Sequence, residues 1–293
     1  MSTFLEVDKS LEVRNVIFEI TALLFCGKMD LPALINRYKS LGIDDVIDHE
    51  KFNLISIVHH STKIEGSTLT EVETQVLINE GLTPKGKPMH DSLMVTDHYA
   101  SLLFTLNTAK EKRDITVNFI KEINSLVVKS TGKTYNTVFG TIDSTTGAFR
   151  KGNVSAGVTY FPNYDKVETL TNEMAVKVNS LLKKPNSIIE ELNLSFDAHF
   201  NLVSIHPFYD GNGRTSRLLM NYIQAYYNLP LAIVQSGTKA EYIQALIDTR
   251  EKDDIQIFRD FMAAEYAMQL KNEIKKFEEI TQPKKGKGFN LMF

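Results

Sequence analysis

In the stretch HPFYDGNGRTSR, His206 to Arg217, several kinds of reactive side chain fall together. His206 can accept a proton near neutral pH. Asp210 offers hard carboxylate oxygens suited to magnesium. Gly211-Asn212-Gly213 is a turn that glycine backbones adopt at little cost. Consecutive amides in such a turn form a concave anion site, and a helix starting there adds its positive N-terminal end. Arg214 and Arg217 are three residues apart, which puts both guanidinium groups on one side of that helix's first turn, where arginine suits bidentate phosphate binding. A base, a metal ligand, an anion turn and a pair of phosphate clamps in one short segment point to nucleotide phosphoryl chemistry. The plainer alternative is a solvated loop that caps a helix, with arginines on its outer face.

Position by position, the segment resembles the signature of the Fic family, H-[PX]-F-x-[D/E]-G-N-G-R-x-x-R, and every position matches. At ordinary residue frequencies a chance match in a chain this long is on the order of one in a billion. The resemblance implies an all-α fold, a Fic-type helical core with a β-hairpin flap. It also implies an adenylyltransferase, an enzyme that moves AMP from ATP to a Ser, Thr or Tyr hydroxyl of a target protein or of itself. In that reading His206 accepts the hydroxyl proton and Asp210 holds Mg2+. Gly211, Asn212 and Gly213 cradle phosphates through their amides and the Asn side chain, and Arg214 and Arg217 hold the outer phosphates. Pro207 shapes the helix exit and Phe208 points into the core. Tyr242, in AEYIQALIDTR, fits the aromatic of the adenine pocket, or else is a partly buried helix aromatic. The companion Asn of relatives is replaced by Thr249 or Arg250, which leaves the base open between adenine and another.

Upstream, Ser61-Thr-Lys-Ile-Glu-Gly66 is similar to the family's inhibitory motif [S/T]-x-x-x-E-[G/N], with Ser61, Glu65 and Gly66 matching. Such a short pattern arises by chance in roughly one chain in four. Its place at a helix end, upstream of the core and beside a glycine stop, is what gives it weight. The resemblance implies that Glu65 pairs with Arg217 where the γ-phosphate of ATP should lie, and that the same glutamate can activate a water to remove AMP. The competing account is an exposed helix-terminal glutamate.

These residues need elements to position them. Apolar spacing and caps predict helices over Leu11–Cys26, Leu31–Ser40, Asp48–Glu65, a run capped by Thr70 and Glu73 and closed by Gly81, and then His90–Lys110, Thr116–Lys129, Val167–Lys183, Ser187–Ile205, Asn212–Tyr227, Lys239–Arg250 and Ile255–Ile280. The loop Gly81–Pro88 is the natural boundary, giving an N-terminal helical region (1–89) with the inhibitory motif, a Fic core (90–265) and a C-terminal helix end with a basic tail (266–293). The Gly- and Thr-rich stretch Thr141–Tyr164 breaks the helical habit. It is expected to hold β-runs at Gly147–Arg150 and Val154–Tyr160 around a Lys151-Gly152-Asn153 turn. Its G-x-x-R…V-x-x-G pattern resembles the Fic flap, along which a target segment would add as a strand.

The chain has 293 residues, 43% hydrophobic and 24% charged, ordinary for a globular protein. A net charge of −3 gives no global basic footprint for nucleic acid. The single cysteine, Cys26, sits among apolar residues and reads as a core side chain, which fits a reducing compartment. No secretory signal is visible, and the run Val16–Cys26 is interrupted by Glu19 and too short to span a bilayer. The expectation is a cytoplasmic protein with no membrane or nucleic-acid partner, binding ATP and a protein target and forming a homodimer. No P-loop pattern occurs. Adjacent His59 and His60 cannot share a helix face as metal ligands and read as surface or capping residues. Two further readings stay open: a Fic-like transferase with another nucleotide or phosphate donor, and an inactive helical binding module. Intact His206, Asp210, Arg214 and Arg217 argue against the second.

Overall fold

A computed structural model describes residues 30–43, 49–157, 159–184 and 186–281. The helix expected over Leu11–Cys26, the Cys26 side chain and the basic tail lie outside the described residues. The helices are α1 (Leu31–Ser40), α2 (His49–Ile64), α3 (Glu71–Glu80), α4 (Met89–Lys110), α5 (Val117–Val127), α6 (Val167–Leu182), α7 (Ile188–Ile205), α8 (Asn212–Tyr226), α9 (Lys239–Lys252) and α10 (Ile255–Thr281). Their starts follow from local chemistry. At α3, Thr70 accepts from the Glu73 amide and the Glu73 carboxylate accepts from the Thr70 amide at 2.8 Å. The same reciprocal box, Ser187 with Glu190, opens α7. Each box satisfies backbone donors that the first helical turn would otherwise leave unpaired.

The fold is assembled around α8, which packs against α7, α4 and α5. Leu219 and Tyr222 of α8 join a cluster with Val95, Leu102, Phe119 and Ile123. Met220 joins a second cluster that includes Tyr38, Phe196, Tyr242, Phe258 and Tyr266. A helix shared by two cores must bury polar residues as well, and buried polar groups need partners. Asn221 donates to the Ala232 carbonyl at 3.0 Å, and the Gln224 amide oxygen accepts from the Ala232 amide at 2.8 Å.

Two small antiparallel hairpins interrupt the helices. In the first, β1 (Thr134–Thr137) pairs with β2 (Gly140–Asp143), Thr134 opposite Asp143. In the second, β3 (Ser155–Ala156) pairs with β4 (Thr159–Tyr160), Ser155 opposite Tyr160. The sequence expectation for this region needs correction. Gly147–Arg150 is not a strand: Gly147 adopts φ 68°, and a β-carbon there would collide with the Lys121 carbonyl. The flap turns through Gly157 (φ 57°) rather than through Lys151–Asn153. The first hairpin was not anticipated, because Thr134–Thr137 carries no apolar alternation for a strand pattern to register.

His59 and His60 are not surface residues. His59 is buried, its Nδ1 3.4 Å from the Thr74 hydroxyl, and His60 Nδ1 lies 2.9 Å from the Ser236 hydroxyl. Among the described residues no helix is long and apolar enough to cross a membrane.

Candidate active site

The site forms where α7 ends and α8 begins. His206 is the C-cap of α7 with φ 52°, and its amide closes the helix on the Leu202 carbonyl at 3.0 Å. A left-handed backbone is uncommon for a residue with a side chain. Here it swings the imidazole back so that Nδ1 lies 3.2 Å from the Val203 carbonyl. A carbonyl only accepts, so the proton belongs on Nδ1 and the lone pair on Nε2. The ring stacks on Phe161 of the flap, with centroids 3.9 Å apart and planes within 13°. Burial drives its pKa down to about 4; the Val203 carbonyl and Glu65 oppose the shift, while Arg150 and Arg250 reinforce it. The imidazole is therefore neutral at pH 7, as a proton acceptor requires. Phe208 is buried against Phe149, as its expected anchor role demands.

Gly211 takes φ 77°, and a β-carbon on it would come within 2.8 Å of Asn124 Nδ2. Asn124, on α5, donates to the Asp210 carbonyl at 3.0 Å and to the Thr215 hydroxyl at 3.1 Å, so it holds the turn from beneath. The Asp210 carboxylate accepts from the Gly211 amide at 2.6 Å and from Arg214 Nη2 at 3.3 Å, and 41% of its side chain remains exposed. Among the described residues no cluster of three or more His, Cys, Asp or Glu could hold a metal. One half-exposed carboxylate is nonetheless the kind of protein contribution that magnesium takes when substrate phosphates and water complete its shell.

Two expected roles are revised by the geometry. The Asn212 side chain does not face a ligand; its oxygen accepts from the Phe208 amide at 2.9 Å and its nitrogen donates to the Phe208 carbonyl at 2.8 Å. It staples the turn, leaving its backbone amide and that of Gly213 for an anion. The arginines do not form a matched pair. Arg214 points toward α5, donating to the Val127 carbonyl at 3.0 Å while it braces Asp210. Arg217 points toward α2, where Nε donates to the Ser61 hydroxyl at 2.8 Å and Nη2 to the Ser61 carbonyl at 3.0 Å.

Arg217 Nη2 also meets Glu65 Oε1 at 2.7 Å. That oxygen lies against Gly213, closer than a β-carbon would tolerate. The carboxylate therefore sits at the amino end of α8, where backbone donors and the helix dipole favour negative charge. Burial alone would raise the Glu65 carboxyl; the charge and hydrogen bond of Arg217, with Arg214 and Lys239 adding, leave it below the ordinary glutamate value. About a third of the side chain, 34%, remains accessible. Gly66, at φ 105°, turns the chain away immediately after.

Tyr242 is not a stacking surface for a base. It is fully buried, its hydroxyl 2.8 Å from His199 Nε2, with Phe258 and Phe261 around its ring. The reading as a buried helix aromatic holds. Arg250 instead reaches the site's rim, with Nη1 3.2 Å from the Ser204 hydroxyl and its guanidinium 6.0 Å from the Phe161 ring. Sequence reasoning missed Asn124 and Phe161, which carry no local signal, and the stacking of Tyr135 from the first hairpin on Tyr209 beside Asp210, with centroids 4.4 Å apart.

Residues 114–224 match the Fic/DOC family. Curated relatives include the protein adenylyltransferase Fic of Aedes aegypti, 30% identical over 216 residues, and that of Drosophila melanogaster, 29% identical over 207. These alignments take in 73% and 70% of this chain but 40% and 39% of the relatives, so the chain spans about two fifths of their length. A Fic domain containing signaling protein from Bacteroides thetaiotaomicron has a similar structure, with a TM-score of 0.73 at 22% identity over 85% of this chain and 98% of that one. Fic-1 from C. elegans gives 0.67 at 22% identity over 92% and 77%. At such identity the structural likeness carries the fold. The match over 114–224, which takes in all of His206 to Arg217, makes this chain the carrier of a Fic/DOC-family domain.

Proposed function

We propose that the chain transfers AMP from ATP to a hydroxyl of a protein, and that Glu65 restrains the reaction. The observation that carries this reading is the arrangement at the two ends of one loop: a neutral imidazole with its Nε2 lone pair available, and a helix amino end already holding a carboxylate in the manner of a phosphate. The fold and the adenylyltransferase names of the relatives support it.

In the reaction, the hydroxyl oxygen of the acceptor attacks the α-phosphorus of ATP while its proton passes to His206 Nε2. A new O–P bond forms, the bond to the bridging oxygen of the β-phosphate breaks, and pyrophosphate leaves with the electron pair. The amides of Asn212 and Gly213 bind phosphate oxygens at the start of α8. Arg217 takes the outer phosphate, and Arg214 acts one step back by orienting Asp210. Magnesium bound by Asp210 and the phosphates would neutralise charge developing on the leaving group. In the resting protein Glu65 takes the place of that outer phosphate, so ATP either fails to bind or binds with its α-phosphorus out of line, where about 1 Å can cost ~100-fold.

The test is incubation of wild type, Glu65→Gly and Glu65→Gly/His206→Ala with ATP labelled at the α-phosphate and Mg2+. Label should appear on the protein strongly in the single variant, weakly in wild type and not in the double variant. Equal labelling of wild type and Glu65→Gly would remove the restraint from this account. Retained labelling without His206 would move the base elsewhere, and a donor screen with UTP and GTP tests the base choice.

A further inference from the structure

Arg150 is 1% exposed, yet no carboxylate among the described residues pairs with it. Its guanidinium is bonded to three backbone carbonyls instead. Nε donates to His206 at 2.8 Å, Nη1 to Gly152 at 2.8 Å, and Nη2 to Pro162. Its own amide donates to the Pro207 carbonyl at 3.0 Å. Gly152 precedes β3 and Pro162 follows β4, so the acceptors stand at the two ends of the flap and on the backbone of the residue that bears the imidazole. The planar fork of arginine can reach three such acceptors at once, whereas an ammonium cannot reproduce that fixed geometry. A buried cation without a counter-charge costs stability, so its use here has to be met by what it holds in place.

We propose that Arg150 is a positioning residue for the transferase reaction: it locks both ends of the flap to the His206 backbone, so that a hydroxyl carried along the flap arrives at a set distance from the imidazole. The proposal rests on the adenylyl-transfer reading. Phe161 is the second link of the device, since it leaves the flap one residue before Pro162 and lies flat on the His206 ring at 3.9 Å. If the fork is lost, the flap can shift against α7, the ring loses its cover, and the base and the incoming hydroxyl no longer share a frame. The nucleotide side stays intact, because Asn212 is held by the Phe208 backbone and Arg217 by α2, neither of which the Arg150 guanidinium touches.

The test compares Arg150→Lys and Arg150→Gln in the Glu65→Gly background, with Glu65→Gly/His206→Ala as the blank. The expected result is a dissociation constant for Mg·ATP within about twofold of the parent and a self-labelling rate about 100-fold lower, as a displacement of ~1 Å at the reacting groups can produce. Lysine, which keeps the charge but not the fork, should not rescue the rate. A parallel loss in affinity and rate, or full activity in Arg150→Lys, overturns the proposal. A second measurement needs no turnover: the His206 ring protons are followed by NMR titration in the resting protein. The parent should show a pKa near 4 and the upfield shift of a stacked ring. Arg150→Lys, which keeps the charge but not the fork, should move the titration toward 6.5 and lose the upfield shift; unchanged values refute the positioning role. A Glu65→Gly parent that fails to label would count against the reaction, while the NMR arm would still decide the role of Arg150.

Discussion

Glu65 Oε1 and Arg217 Nη2 lie 2.7 Å apart, joining the end of α2 to the second turn of α8 across 152 residues of sequence. The pair does not stand alone, because Ser61, one helical turn before Glu65, accepts from Nε of the same guanidinium at 2.8 Å. Arg217 is therefore held in a two-residue grip delivered by one helix face, which in the proposed reading would be the restraint.

This grip can be loosened in steps. Ser61→Ala removes the Nε acceptor but leaves the carboxylate, so the resting labelling rate with ATP should rise severalfold and stay below that of Glu65→Gly. Orphaning a buried donor costs about 1–3 kcal/mol, measurable by denaturant titration. A Ser61→Ala rate equal to wild type would mean that Glu65 alone sets the restraint.

The pH response follows from buried imidazoles. His60 and His206 are each lowered from 6.5 to about 4, chiefly by burial, and His59, His98 and His199 are lowered for the same leading reason. With folded values below 6.5, the unfolded chain binds more protons between the two values, so stability rises with pH across that window. The imidazole contribution should be complete above pH 6.5 and fall as pH drops toward 4, on the order of 1 kcal/mol per unit for each such group, while buried Glu265, raised to about 7, opposes it with a contribution that fades as pH rises from about 4.5 to 7. In the same range the labelling rate of Glu65→Gly, corrected for the folded fraction, should stay flat down to about pH 5. An acidic limb centred at 6.5 would show that His206 is not held in the neutral form.

Glycine positions give a contrast that separates space from backbone strain. Gly157→Ala meets open space and bears only the cost of φ 57°, about 1–2 kcal/mol. Gly211→Ala bears a similar cost at φ 77° and also drives a methyl into Asn124, Val127 and Val128. It should lose several kcal/mol beyond Gly157→Ala and abolish labelling. Similar melting temperatures for the two variants would refute the close approach of α5 to the turn.

Asn212→Ala and Tyr242→Phe test two of the revised roles. Removing the Asn212 side chain breaks both bonds to the Phe208 backbone and should cost about 2 kcal/mol or more, whether or not nucleotide is present. A variant of wild-type stability but weak ATP affinity would restore the side chain to the phosphates. Tyr242→Phe removes a hydroxyl that meets His199 and faces Arg217, and should lower stability by about 1–2 kcal/mol.

The parts legible from sequence are those whose causes are local. Thr70 with Glu73 acts within one helical turn, and that capping box forms as its spacing indicates. His206 to Arg217 is legible because its reactive types are contiguous. Partner choice was not legible. Arg214 and Arg217 share a helix turn but bond to α5 and α2, a divergence set by what packs on each side. Asn124 reaches the Asp210 carbonyl from 86 residues away, and nothing around it in the sequence marks that role. The first hairpin was missed because its strands are four residues each, and the single apolar pair across them, Tyr135 opposite Ile142, is too short a run to register as alternation.

Arg217 is buried with Nη1 lacking a partner, and the acid that neutralises it comes from the protein itself. In the proposed reading Glu65 would then be a tethered counter-ion standing in for a visitor. The unliganded wild type should melt like a protein that already holds its ligand, whereas a variant without the acid should be the more heat-labile of the two and gain the larger share of its thermal resistance when nucleotide is added.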